Sequence, residues 1–304
     1  MGIQIDSFKM QTNFDGLIQL LAEGLYSDPD IFLRELIQNA HDSIVRRKEV
    51  DYSFAGRIDV NIDSLNHCIM VIDNGIGMDK EDIQDFLCVI GSGFTGAARK
   101  AGSESALELI GQFGIGMLSS FVVAHEVHVE TLKRGSDTAY GWRNSGSEDC
   151  KLLSSDKTDV GSEIRIFIKD THVYLLDDSK LKSIIVRYCD FISIPIFLNG
   201  IGPINTIEAP WNKHFPDAES ANRAYYEFIN HRFTDGAIDV FPINMDDGSY
   251  KARGILYISD RHVVGFNTIG FLDIFIRKML VKKMIHTCFR RGLNLFEALS
   301  TALT

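Results

Sequence analysis

Apolar residues recur at three- and four-residue spacing through Leu33, Leu36, Ile37, Ala40 and Ile44, which predicts a helix from about Pro29 to Arg47 with one stripe on a core. Glu35, Asn39 and Asp42 recur at i, i+4 and i+7 on a neighbouring stripe, so three oxygen-bearing side chains are expected along one edge. Ser27-Asp28-Pro29-Asp30 supplies a start signal: a Ser cap, Pro in the first turn and a carboxylate three residues after the cap. An earlier helix, opened by Asn13 or Asp15, carries Leu17, Ile18, Leu20, Leu21 and Leu25 inward. The period then changes to two. Arg57–Ile62 alternates apolar and polar, Cys68–Ile72 is a second strand, and the turn composition of Asp63–His67 joins them as a hairpin.

Further on, residues 79–90 read as a helix, and strands are expected around Val127–Thr131, Thr138–Arg143 and Glu163–Lys169. A helix over 178–191 and an apolar strand at Ile194–Leu198 follow. Strands with helices mostly on one side predict an α+β fold, a two-layer α/β sandwich. Gly200, Gly202, Pro203 and Pro210 mark a boundary, giving domains 1–203 and 211–304. The second is a smaller, incomplete α/β domain, with a helix at Ala218–Phe228 and strands near Ala237–Phe241, Tyr250–Ile258 and Phe271–Leu280.

The length of 304 residues agrees with about two domains. The net charge of −10 argues against nucleic acid or an anionic membrane as the main partner, and the basic span Arg277–Arg291 reads as a solvated or interface edge. Five scattered cysteines without a C-x-x-C pair fit a reducing compartment and make neither a disulfide framework nor a metal site. The N-terminus lacks the pattern of a signal peptide, and no apolar run reaches membrane-spanning length, so a cytoplasmic protein is expected.

Glycine chemistry adds the candidate site. The second strand runs into Asp73-Asn74-Gly75-Ile76-Gly77-Met78. Asp73 can accept from the exocyclic amine of a flat heterocycle, Gly77 allows close approach and Met78 offers a soft apolar surface. The same string also suits an ordinary tight turn. Gly91–Ala98 starts a glycine- and alanine-rich segment that fits either a lid or a plain surface loop. Gly111-Gln112-Phe113-Gly114-Ile115-Gly116 opens a helix beginning Met117-Leu118, and its free N–H groups suit phosphate oxygens. It is neither a Walker loop nor a dinucleotide fingerprint.

The order of these motifs, with Gly161-Ser162 before a later strand, resembles the Bergerat ATP site of gyrase, heat-shock chaperone, histidine kinase and MutL ATPases. "LYSDPDIFLRELIQNAHDS", "DNGIGM", "IGQFGIGMLSSFVVA" and "GSEIRIFIKD" resemble the 90-kDa heat-shock chaperone family, bacterial HtpG type. The likeness covers residues 8–200 and continues through "AYYEFINHRFTD" and "DDGSYKARGILYIS" into the opening of that family's middle domain. It implies ATP or ADP with Mg²⁺ as ligands, slow ATP hydrolysis, client proteins as partners and a homodimeric parent. Glu35 is then the general base, and Asn39 is the Mg²⁺ ligand. Asp73 takes the adenine amino hydrogen, Gly77 and Met78 line the base, the Ser162 hydroxyl supports Asp73 through water, and Ser92, Thr95 and Gly111 to Gly116 hold phosphates.

Two local departures stand out. The lysine usual before Ser-Gly-Thr in the lid string is missing from Gly91-Ser92-Gly93-Phe94-Thr95, and Met117-Leu118 replaces the usual aromatic pair. The family's middle-domain arginine and C-terminal dimerisation domain are expected to be absent from this chain. A nucleotide-gated module without turnover and a DNA-acting gyrase- or MutL-type ATPase are the alternative readings.

Overall fold

In a computed structural model of the chain, the residues described are 16, 28–88, 116–232, 237–246 and 251–259. The helix around Glu35 runs Ile31–Val50 (α1) and buries Phe32, Leu33, Leu36, Ile37, Ala40 and Ile44. Its start differs from the expected Ser cap: Asp30 holds the cap position without a side-chain cap bond, and Ser27 lies outside the described residues. Tertiary contacts fix this end. Asp28 accepts the Asp30 N–H at 3.0 Å and the Tyr188 hydroxyl at 2.6 Å, while Lys180 reaches Asp30 at 2.7 Å.

The hairpin forms as expected from Ile58–Asp63 (β1) and Cys68–Asp73 (β2). Then come Lys80–Phe86 (α2), Gly116–Val123 (α3), and the strands Ala124–Leu132 (β3), Ala139–Asn144 (β4), Cys150–Ser155 (β5) and Gly161–Ile168 (β6). A 3₁₀ segment at Asp170–Leu176 leads into Asp178–Cys189 (α4) and the short strand Ile196–Leu198 (β7). The sheet order is β5-β4-β3-β6-β2-β1-β7, antiparallel except for β1 beside β7. Asn205 secures the β7 edge, donating to the carbonyls of Ile192 and Ile194 and accepting the Ile196 N–H.

Alternation sorts the sheet into two faces. Val60, Val71, Val127, Val129, Ile164, Ile166 and Trp142 join the apolar sides of α1, α3 and α4 in one core. Alternate positions such as Glu126, His128, Glu163 and Arg165 form ion pairs on the other face. This is the two-layer α+β sandwich expected from the pattern.

Helix α2 is shorter than expected because Asp79 caps it reciprocally with Asp82 and Leu87 closes it. Strand β5 was not anticipated. Cys-Lys-Leu-Leu-Ser-Ser lacks alternation, and its ladder to β4 makes it an exposed edge strand.

Contacts divide the chain into two compact units, Met1–Ile207 and Glu208–Thr304. The second contains Ala218–Arg232 (α5) and the antiparallel pair Ala237–Asp246 (β8) and Lys251–Ser259 (β9). Tyr225, Ile229, Val240 and Ile255 make its core. The strand expected at Phe271–Leu280 lies outside the described residues. Among the described residues, no helix is long and apolar enough to cross a membrane.

Candidate functional site

Glu35 and Asn39 lie one turn apart on α1 and meet the first residue of α3. A Cβ added to Gly116 would stand 2.9 Å from Glu35 Oε2 and 3.6 Å from Asn39 Nδ2. A side chain at the start of α3 would press on this pair and displace the Glu35 carboxylate. Asn39 is exposed, whereas the Glu35 side chain keeps 17% exposure. Arg34 holds Glu35 Oε1 through both Nε, at 3.2 Å, and Nη2. At the far end of α3, Lys169 donates to the carbonyls of Phe121 (2.7 Å) and Val122 (3.2 Å), satisfying acceptors that the helix leaves open.

Asp42 was expected to continue the Glu35–Asn39 edge. It turns inward instead, buried beside His41 Nδ1 at 3.1 Å. The stripe is continuous along α1, but every residue from Ala40 to Val45 is buried, with Ser43 bonded to Asp73 and to the Ile76 N–H of the turn. Its polar edge therefore passes from solvent into the fold.

Asp73, at the end of β2, is buried at 5% exposure. One carboxylate oxygen accepts the Gly75 N–H at 2.8 Å and the Ser43 hydroxyl at 3.1 Å. Burial pushes its pKa up to about 6, while these two bonds and the charges of Arg46 and Lys157 oppose the rise. Its geometry is that of a fixed, buried acceptor at a strand end.

The turn after Asp73 is fitted to the protein itself. Gly77 has φ +71°, and a Cβ there would fall 2.0 Å from the Leu132 carbonyl oxygen. Its lack of a side chain thus serves the packing of the turn on β3. Ile76 bonds Ser43 and Arg134 through its backbone, and Met78 packs on the core.

Ser162 stands opposite Asp73 in the β2–β6 ladder, but its hydroxyl bonds Thr131 Oγ1 at 3.0 Å. Thr131 is the residue that sequence reasoning missed. Fully buried, it accepts the Met78 N–H at 2.9 Å and donates to the Gly161 carbonyl at 3.2 Å. A polar residue continuing the inward series Val127, Val129 on β3 was the available signal.

Thus Glu35, Asn39 and Gly116 gather at one place, and Asp73, Gly77, Met78 and Ser162 gather with Ser43 and Thr131 around the 73–78 turn. Ser92, Thr95, Gly111, Gln112, Phe113, Gly114 and Ile115 lie outside the described residues. Among the described residues no cluster of three His, Cys, Asp or Glu side chains could hold a metal ion.

A helical layer on this sheet, with a carboxylate and an amide facing the start of a second helix, is the domain of an ATPase family. Residues 26–166 match the family described as histidine kinase-, DNA gyrase B-, and HSP90-like ATPase. The resemblance to the 90-kDa heat-shock branch is also borne out. The chain is 32% identical over 270 residues to Chaperone protein HtpG of Rickettsia akari, covering 82% of this chain and 43% of the relative. Chaperone protein HtpG of Yersinia enterocolitica is 32% identical with the same coverages, and that of Rhodococcus jostii 30%, covering 85% and 46%. The chain therefore spans less than half the length of these curated relatives.

Proposed function

We propose that this chain is the nucleotide-binding part of an ATP-dependent chaperone of the 90-kDa heat-shock type, working in the cytoplasm on client proteins within a homodimeric parent. ATP or ADP binds with its adenine amine donating to Asp73, beside Gly77 and Met78. Ser162 acts on this pocket through Thr131. Ser92, Thr95 and Gly111 to Gly116 take the phosphates. Asn39 would hold Mg²⁺ through its side-chain oxygen, and the ion would supply charge neutralisation at the phosphates. The exposed amide beside the start of α3 fits a cation that draws its remaining ligands from phosphate and water.

Glu35 Oε2 accepts a proton from the attacking water and orients it, so it serves the transition state and not binding. The observation that carries this reading is the convergence of Glu35 and Asn39 on Gly116, with Glu35 Oε2 only 2.9 Å from the position of a Cβ there. Glu35→Ala should keep ADP affinity within a few fold by calorimetry while abolishing phosphate release. Hydrolysis at the parent rate would refute the base assignment.

One observation favours a second reading, a nucleotide-gated module without turnover. Arg34 pairs with Glu35 Oε1 through two nitrogens, so that oxygen is engaged by the guanidinium instead of facing an attacking water. Single-turnover hydrolysis with labelled ATP separates the two, because the module binds ATP and releases it intact.

A further inference from the structure

Four cysteines fall among the described residues, and they divide sharply. Cys68 and Cys189 are buried, while Cys88 and Cys150 are exposed with their sulfurs 3.1 Å apart. These two thiols are 62 positions apart in sequence, and the fold brings them together. Cys88 follows the C-cap of α2, a helix held by its capping box and by Lys133 pairing with Asp79 and Asp82. Cys150 opens β5 opposite Asn144. The Asn144 amide donates to the carbonyls of Ser147 (2.8 Å) and Asp149 (3.1 Å) and accepts the Gly146 N–H, so the turn leading to Cys150 is clipped in place.

We propose that Cys88 and Cys150 are a peroxide-oxidisable pair that closes a disulfide between the end of α2 and the edge strand β5. The sulfurs need to approach by only about 1 Å to reach bonding distance of ~2.05 Å. Burial and the neighbouring Cys150 thiol push Cys88 up to about 11, against the opposing pull of the Trp142 indole. Cys150 opens the exposed edge strand of the sheet, and it is the thiol that meets the oxidant first. A hydroperoxide transfers its terminal oxygen to the Cys150 sulfur, giving a sulfenic acid and releasing water or an alcohol. The Cys88 sulfur then displaces the hydroxyl, the S–S bond forms, and the Cys88 proton leaves with that hydroxyl as a second water. Two thiols are oxidised and one peroxide is reduced. In a reducing compartment the pair rests as thiols and closes only under oxidant, the behaviour of a redox-sensing pair. This proposal is independent of the nucleotide reading.

The test is peptide mapping of the full 304-residue chain after one equivalent of hydrogen peroxide, with free thiols alkylated before non-reducing digestion. The expected result is a Cys88–Cys150 linked peptide at least tenfold above any other pairing, abolished by dithiothreitol. Cys68 and Cys189 should remain alkylatable after unfolding. In Cys88→Ser, a dimedone-trapped sulfenic acid should accumulate on Cys150; Cys150→Ser should leave Cys88 as the thiol. The oxidised parent should also melt several degrees higher than the reduced one, and neither serine variant should gain on oxidation. Independent overoxidation of the two cysteines without a linked peptide would overturn the proposal, as would dominant pairing of either with Cys288.

Discussion

Asp73 offers a measurement in which the pocket reports on itself. Its carboxyl titrates near 6 instead of the ordinary 3.8, because burial disfavours the charge. With a folded value above the unfolded one, its contribution to stability is complete below 3.8 and disappears as pH rises through 6. At neutral pH the empty fold thus carries an ionised, buried carboxylate at a cost of about 3 kcal/mol. A ligand amine donating to that carboxylate offsets part of this cost, so nucleotide affinity should depend on ionisation. About a tenth of the carboxyl is ionised at pH 5 and about nine tenths at pH 7, which predicts roughly tenfold weaker adenosine binding at the lower pH. Ser43→Ala removes one of the bonds to the carboxylate. A hydrogen bond to a charged group is worth ~1.5–3 kcal/mol, so the midpoint should move up by about 1–2 pH units. Calorimetric titration of ADP across pH 5–9 on parent and Ser43→Ala is the assay, since the ligand's own phosphate titration cancels in the ratio. The two proteins should converge near pH 9 and separate by ~10-fold or more at pH 5. Superimposable curves, or adenosine affinity that is flat between pH 5 and 7, would refute the reasoning.

Other outcomes follow from the packing around the site. Gly77→Ala should lose roughly 2–4 kcal/mol in urea unfolding, because its Cβ would collide with the Leu132 carbonyl at a positive φ; a loss under 1 kcal/mol would mean that the turn relaxes freely. Thr131→Val keeps the volume but strands the Met78 N–H and the Gly161 carbonyl, so about 2–3 kcal/mol of stability and part of the ADP affinity should go together. Unchanged affinity in that variant would detach Thr131 from the pocket. Asn205→Ala should cost roughly 2–4 kcal/mol and raise amide exchange at Ile196, whose N–H the Asn205 side chain accepts; protected exchange there would show that β7 holds without it.

What was legible in the sequence was whatever depends on near neighbours in the chain. The 3.6-residue period of Leu33, Leu36, Ile37, Ala40 and Ile44 specifies α1 because one face of a helix repeats at that spacing, and Glu35 and Asn39 share an edge for the same reason. The β1–β2 hairpin follows from its alternation and turn, and Asp73 stands at a strand end because the glycines behind it stop the strand. The motif order carried the family.

Tertiary structure decided which of these residues meet and what surrounds them. Asp42 lies on the Glu35–Asn39 stripe yet is buried, because every residue from Ala40 to Val45 is enclosed by the fold whatever face of α1 it occupies. Gly77 is a glycine for the sake of Leu132, 55 positions on, and Asp73 takes its hydroxyl partner from Ser43 on another element. Strand β5 exists through its ladder to β4, and Cys88 finds Cys150 across 62 residues. Periodicity encodes the face a side chain occupies, but burial, pairing and the acidity of a carboxyl depend on atoms brought close by folding, and no local pattern records those distances.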